Sequence, residues 1–192
     1  MMLGTLNAAF PRNVLARFRR DRRGVAAIEF AIMLPLMLVL LLGTWEIGRA
    51  ILVQMRIGAS AAQLGGLVTR EATLTRATLQ DLFAAAPVMT GGTDLGADGV
   101  MVVTAVTGDD QGRGRVAWQE YGAGSLKTGS RIGRPGAYAT LPDGMTITAG
   151  ETLVVVEVFF NDASSMNMLL GQRSVYRATV QRGRAGDLAT LG

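Results

Sequence analysis

The 192-residue chain contains no cysteine and no histidine, and its cations are eighteen arginines and a single lysine. Without thiolates or imidazoles it cannot build the usual Cys/His zinc or haem sites, a disulfide scaffold, or a catalytic pair that depends on either group. Charged residues are scarce at 18%, whereas hydrophobic residues make up 49%, which excludes a disordered polyelectrolyte. The mean hydropathy of +0.29 is high for a soluble domain, so the distribution of the apolar residues matters more than their number.

They concentrate near the N-terminus. From Val25 to Trp45 the chain reads V-A-A-I-E-F-A-I-M-L-P-L-M-L-V-L-L-L-G-T-W, with Glu29 its only charge. As a helix rising 1.5 Å per residue, such a run spans about 30 Å, the hydrocarbon thickness of a bilayer. No polar stripe interrupts Ala31 to Leu42, so a membrane-spanning helix is expected rather than a core helix. Arg12, Arg17, Arg19, Arg20, Arg22 and Arg23 precede the run and only Asp21 opposes them, which by the positive-inside rule keeps the N-terminus cytoplasmic. Residues 47–192 are then exported, and their thirteen basic and twelve acidic side chains nearly balance. The basic pI of 10.3 therefore largely reflects a topogenic leader, and nucleic acid is not an expected partner.

An ordinary secretory signal has a shorter apolar core followed closely by an A-x-A site. Here the run is longer and contains Glu29, and the nearest such match, Ala59-Ser60-Ala61, lies far beyond it. Two readings stay open: a permanent anchor, and a signal cut on the cytoplasmic side of the run. A carboxylate inside an apolar helix carries an insertion cost. Glu29 either snorkels to the headgroups or has a purpose. Cleavage after Gly24 would give Val25 a new ammonium, an available partner for a carboxylate on a neighbouring helix.

Gly24, V-A-A-I and Glu29-Phe30, set between a basic leader and an apolar run, are similar to the processing motif of type IV pilin-like proteins. The longer stretch R-R-G-V-A-A-I-E-F-A-I-M-L-P-L-M-L-V-L-L-L-G-T-W-E-I-G-R-A resembles the TadE-like family through its small-residue start, Glu-Phe-Ala, Pro35, and a Gly-x-x-Glu-x-Gly-Arg pattern at Gly43, Glu46, Gly48 and Arg49. E-T-L-V-V-V-E-V-F-F and V-Y-R-A-T-V-Q-R-G-R are a weaker echo of the family's last strands. The resemblance implies a pseudopilin or minor pilin of the Tad (Flp) pilus system in the bacterial inner membrane. It further implies cleavage by a prepilin peptidase between Gly24 and Val25, with Glu29 registering neighbouring subunits. The implied partners are other pilin or pseudopilin subunits and the Tad assembly platform; no cofactor, metal or enzymatic activity is implied. The rival is an uncleaved, TadG-like anchor presenting a periplasmic domain.

The expected fold class is α+β, with residues 1–24 as leader, 25–46 as membrane helix, 47–70 as its continuation and 71–192 as the exported domain. Glu46, Arg49, Val53, Arg56, Ser60, Gln63, Leu67 and Arg70 form a mostly polar stripe, with Ile47, Ile51, Met55, Gly58, Ala62 and Gly65 opposite. The small residues here permit close approach of another helix or of the chain's own sheet. Pro35 cannot donate to the Ala31 carbonyl and should bend or loosen the membrane helix.

Thr75 is positioned to cap a helix through Ala86, with Leu79, Leu82, Phe83 and Ala86 on one face and Pro87 beyond its end. Strands are expected at 100–107, 115–121, 152–160 and 172–181, mostly antiparallel, with a Gly-rich loop at 122–150. In the third strand Val154, Val156, Val158 and Phe160 share one face and Glu157 lies on the other; in the fourth, Tyr176, Ala178 and Val180 point inward. Lys127-Thr128-Gly129 matches a fragment of penicillin-recognising enzymes but lacks the S-x-x-K that chemistry requires. Gly112 to Arg115 reads as a hairpin turn rather than an anion site, and Asp109-Asp110 as solvated turn acids rather than a Ca²⁺ site. A hydrolytic carboxylate pair would have to come from Glu120, Glu151 and Glu157, and spacing alone places no two of them across a cleft.

Overall fold

The computed structural model describes residues 23–162, 173–183 and 188–192. Arg17, Arg19, Arg20 and Arg22 of the leader lie outside the described residues. The chain divides into two units, Met1–Ile47 and Gly48–Gly192.

A 46-residue helix, α1 (Arg23–Val68), contains the whole apolar run and carries Pro35 within it. Its best 18-residue window has a mean hydropathy of 2.6, with none of it buried. Thr44 returns its hydroxyl to the Leu40 carbonyl at 2.8 Å, so even this polar side chain leaves no unsatisfied donor in the apolar run. The helix ends where Thr69 N–H bonds the Gly65 carbonyl and Arg70 N–H the Leu67 carbonyl, a tightening of the last turn.

In the second unit the helix is followed by α2 (Arg76–Ala84) and the short α3 (Ala86–Met89). Four strands then form one antiparallel sheet in the order β2-β1-β3-β4: β1 (Gly99–Gly108), β2 (Gly114–Gly122), β3 (Thr152–Asp162) and β4 (Arg173–Arg182). Thr75 caps α2 as the sequence predicts, its Oγ1 accepting from Thr78 N–H at 3.1 Å. Pro87, expected past the helix end, instead lies in the first turn of α3, where its missing N–H costs nothing.

The sheet is covered on both faces. On one, Val53, Ile57, Ala61, Leu64 and Val68 of α1 join Leu79 and Phe83 of α2 against Met101, Val103, Val154, Val156 and Val158. Fully burying a side chain the size of Ile57 or Leu64 contributes about 1.5–3 kcal/mol. On the other face the 122–150 loop is a second lid, bringing Ile132 and Ile147 onto Val106, Val116, Leu153 and Val155. In β3 the expected division of faces is observed, and both faces are covered, so the residues from Leu153 to Phe160 are all buried. In β4 the most buried side chain is Val175, on the helix face, while Tyr176, Ala178 and Val180 are half-buried beneath the loop.

The buried line of α1 follows neither of the two faces read from the spacing. The buried line is Ala50, Val53, Ile57, Ser60, Ala61, Leu64 and Val68, which takes parts of the supposed polar face, whereas Ile47, Ile51 and Met55 remain more than half exposed. The sheet selects the small and β-branched positions that let α1 approach closely. A Cβ on Gly65 would press into the Gln181 side chain at 3.1 Å, so here the small residues seat the chain's own sheet.

At the surface, two carboxylates fix turns. Asp109 accepts from Gln111 and Arg113 N–H at 2.9 and 2.8 Å in the β1–β2 turn, where Gly112 adopts φ +70°. Glu151 accepts from Thr148 N–H at 3.0 Å and pairs with Arg182 at 3.0 Å. Backbone N–H bonding is the largest cause holding both acids below their ordinary values of 3.8 and 4.5. A lowered folded-state pKa gives stability that is present above the unfolded value and lost as pH falls through the folded one. Acid titration of the full chain in detergent, followed by amide hydrogen exchange, is therefore expected to loosen residues 109–113 and 148–151 only below about pH 4.

Candidate functional site

The sequence-predicted cleavage, assembly, helix-bend and family-motif residues lie along α1, and they fall into two physical groups. Gly24, Val25, Glu29, Phe30 and Pro35 belong to the first unit. Val25 is 50% and Phe30 59% exposed. Glu29 makes no hydrogen bond or ion pair among the described residues.

The Gly43, Glu46, Gly48 and Arg49 pattern is different. Gly43 and Gly48 have open space where a Cβ would stand, so neither is required by a close approach within the chain. Glu46 is buried, at 7% exposure. Arg49 forms a two-pronged pair with Asp162 at the end of β3, Nη1 to Oδ1 at 3.0 Å and Nη2 to Oδ2 at 2.8 Å. Asp162 is 5% exposed, so this pair ties the helix to the sheet at the point where the chain enters the second unit. Nothing in the sequence distinguishes Asp162; its position at the end of an apolar run, next to Asn161, resembles any strand terminus.

The three carboxylates available for hydrolysis do not converge. Glu120 pairs with Arg76 at 3.2 Å and shares a register line with Val103 and Val156 on the helix face. Glu157 is wholly buried on the opposite face. Glu151 precedes Glu157 by six residues, about 20 Å along an extended strand. Glu157 serves the fold instead, accepting from Ser130 Oγ, from Arg131 N–H at 2.9 Å and from Tyr176 Oη at 3.0 Å. The Arg131 guanidinium lies 4.0 Å from the centroid of the Tyr176 ring, and Phe159 stacks on that ring at 5.0 Å. Sequence spacing could not assemble this group, because Ser130 and Arg131 come from the Gly-rich loop. The available signal was the acid itself, placed in the middle of V-V-V-E-V-F-F, a run too continuously apolar for a one-sided strand.

Lys127-Thr128-Gly129 lies in the same loop, with Lys127 exposed. Among the described residues, no group of three or more acidic side chains is placed to hold a metal ion.

Comparison with known proteins adds one match. The family model described as TadE-like protein matches residues 24–66, a segment that runs from the proposed cleavage glycine to the last turn of α1. No curated protein and no solved structure matches the chain. The N-terminal helix of this α+β chain is thus similar to that of TadE-like proteins, which suggests an association with the Tad pilus.

Proposed function

We propose that the chain is a pseudopilin or minor pilin with a structural rather than catalytic role in building a Tad-type pilus. It is held in the bacterial inner membrane, with its leader in the cytoplasm and its sheet unit in the periplasm. A prepilin peptidase cuts between Gly24 and Val25, and Glu29 then meets the new N-terminal ammonium of a neighbouring subunit, an attraction strengthened by the apolar surroundings. Phe30 and the exposed apolar side chains beside it supply the packing between helices. Pro35, which removes one backbone hydrogen bond, is the point at which the helix bends on leaving the bilayer.

The observation that carries this reading is the exposed, uncharged line along α1. It includes Leu36, Val39 and Leu40, and continues with Ile47, Ile51, Leu52 and Met55 in the part that follows the apolar run. The polar side chains interspersed there turn to the chain's own sheet unit: Arg49 to Asp162, Gln54 to Arg177 at 2.7 Å, and Arg56 over Gly91. A helix with an exposed apolar line suits lateral packing against other helices.

N-terminal mass spectrometry of the protein recovered from the pilus-bearing cell tests the mechanism. A chain beginning at Val25 is expected; one beginning at Met1 or Met2 identifies the uncleaved, TadG-like anchor instead. Glu29→Ala is expected to abolish incorporation into pili while leaving membrane insertion intact, and normal piliation of that variant would remove Glu29 from assembly.

A further inference from the structure

At the end of the sheet nearest Arg49, the loop carrying Lys127 to Arg131 faces the last residues of β3 and the first of β4 across a cleft of about 290 Å³. Among the described residues its lining includes Lys127, Thr128, Arg131, Phe159, Asn161 and Ser174, and no carboxylate. Both cations lack an ion pair among the described residues. Arg131 is held in place by the ring of Tyr176, which leaves its N–H groups available, and Lys127 is exposed. The neighbouring acids are occupied elsewhere. Asp162 holds Arg49, and Glu157 holds Ser130, the Arg131 amide and Tyr176. Asp98 meets this region only through its carbonyl, which accepts from Asn161 N–H at 2.7 Å, and its side chain does not line the cleft.

Two unpaired cations, hydroxyl and amide donors and an aromatic floor form a receptor for an anion that carries an apolar part. The volume, just below the ~300–1,000 Å³ of ordinary ligand clefts, suits a headgroup and not a whole amphiphile. Chain connectivity indicates where such a ligand would be met. Asp162, bonded to Arg49, directly follows the lining residue Asn161, and Arg49 follows Trp45, the last residue of the apolar run, by four residues in the chain.

We propose that this cleft binds the phosphate of an anionic phospholipid headgroup, with Lys127 and Arg131 as the cationic contacts. The proposal rests on membrane anchoring through residues 25–45 but on neither leader cleavage nor pilus assembly, so it can fail while those stand. The shared chemistry is a phosphate group, and free phosphate is the alternative source. The test is thermal unfolding of the full chain in neutral maltoside micelles. The added probes are dihexanoyl phosphatidylglycerol, dihexanoyl phosphatidylcholine or inorganic phosphate, at matched ionic strength.

The expected result is a rise in Tm with phosphatidylglycerol that phosphatidylcholine does not give, that shrinks with added salt, and that reports affinity through linkage. Removing one cation should weaken that affinity about fivefold. The arginines of the leader also attract anions, so the comparison that counts is with Lys127→Glu. This residue is exposed and without an ion pair among the described residues, so the substitution leaves the fold intact; Arg131→Gln is the second variant. An equal response to inorganic phosphate, lost in both variants, would keep the anion cleft and overturn its assignment to lipid. A phosphatidylglycerol response unchanged in Lys127→Glu, or no response at all, would overturn the cleft.

Discussion

Glu157→Ala is expected to destabilise the sheet unit by about 3–5 kcal/mol, the largest effect expected of a single side chain in that unit. Glu157 is fully buried and is the common acceptor for the Ser130 hydroxyl, the Arg131 amide and the Tyr176 hydroxyl. Alanine would leave these donors without their carboxylate and open a void beneath the loop, and unsatisfied buried donors and cavities both add to the cost. Glu157→Gln keeps the shape and one acceptor oxygen but turns an NH₂ group toward donors, so about 1–3 kcal/mol is expected. Denaturant unfolding of the full chain in detergent measures both. Buried Trp118, bonded through Nε1 to the Leu188 carbonyl at 2.8 Å, reports on the sheet unit by fluorescence, with exposed Trp45 replaced by Phe.

The same residue governs an alkaline titration. Burial first, and the Glu157 charge second, push the Tyr176 phenol well above its ordinary value of 10.0. A raised folded-state pKa means that stability is intact below pH 10 and declines as pH rises through the folded value. In Glu157→Gln the charge is gone, leaving burial, which raises the value, and the Arg131 guanidinium, which lowers it. Tyr176 should then ionise at lower pH, as followed by phenolate absorbance; an unmoved titration would show that Glu157 does not bear on Tyr176.

Arg49→Ala is expected to cost about 2–3 kcal/mol, less than a fully buried pair because Arg49 keeps about a third of its surface exposed. Asp162, almost wholly buried, loses both guanidinium bonds. Arg49→Lys should recover only part of the loss, since an ammonium is a point charge and cannot match both carboxylate oxygens in a fork. The consequence is functional as well as thermodynamic. If Arg49 acts only in the fold, the variant unfolds more easily in detergent yet inserts normally and still loses its leader. Unchanged stability would instead mark Arg49 as a contact for another subunit.

This pair also separates what was legible in the sequence from what was not. The Gly-x-x-Glu-x-Gly-Arg pattern was visible as a pattern, but its arginine acquires a reason only when β3 brings Asp162 to it from 113 residues away. Pairing between residues so distant along the chain leaves no local periodicity to read. Spacing placed the helix around Val25 to Val68, the cap at Thr75 and the four strands, because caps, turns and hydrophobic period are local physics.

Spacing left open which line of α1 is buried. Amphipathic periodicity takes the more apolar face as the inner one, whereas close packing on a sheet rewards small and β-branched side chains such as Ala50, Val53 and Ala61. The larger Ile47, Ile51 and Met55 were thereby left outside. Spacing placed Glu157 on the face opposite Val154, Val156 and Val158, as the structure does, but did not show what covers that face. A Gly-rich loop shows no periodicity, so nothing local announced that residues 122–150 would close over the second face of the sheet.

The sequence by itself located the long apolar run and the TadE-like segment that contains it, because hydropathy and motif spacing act on contiguous residues. The tertiary structure decided which charges remain free. Asp162 and Glu157 are consumed by the fold, whereas Glu29, Lys127 and Arg131 meet no ion-pair partner among the described residues. That division follows from burial, since a charge removed from water must find its partner within the chain, and one left at the surface can wait for another molecule.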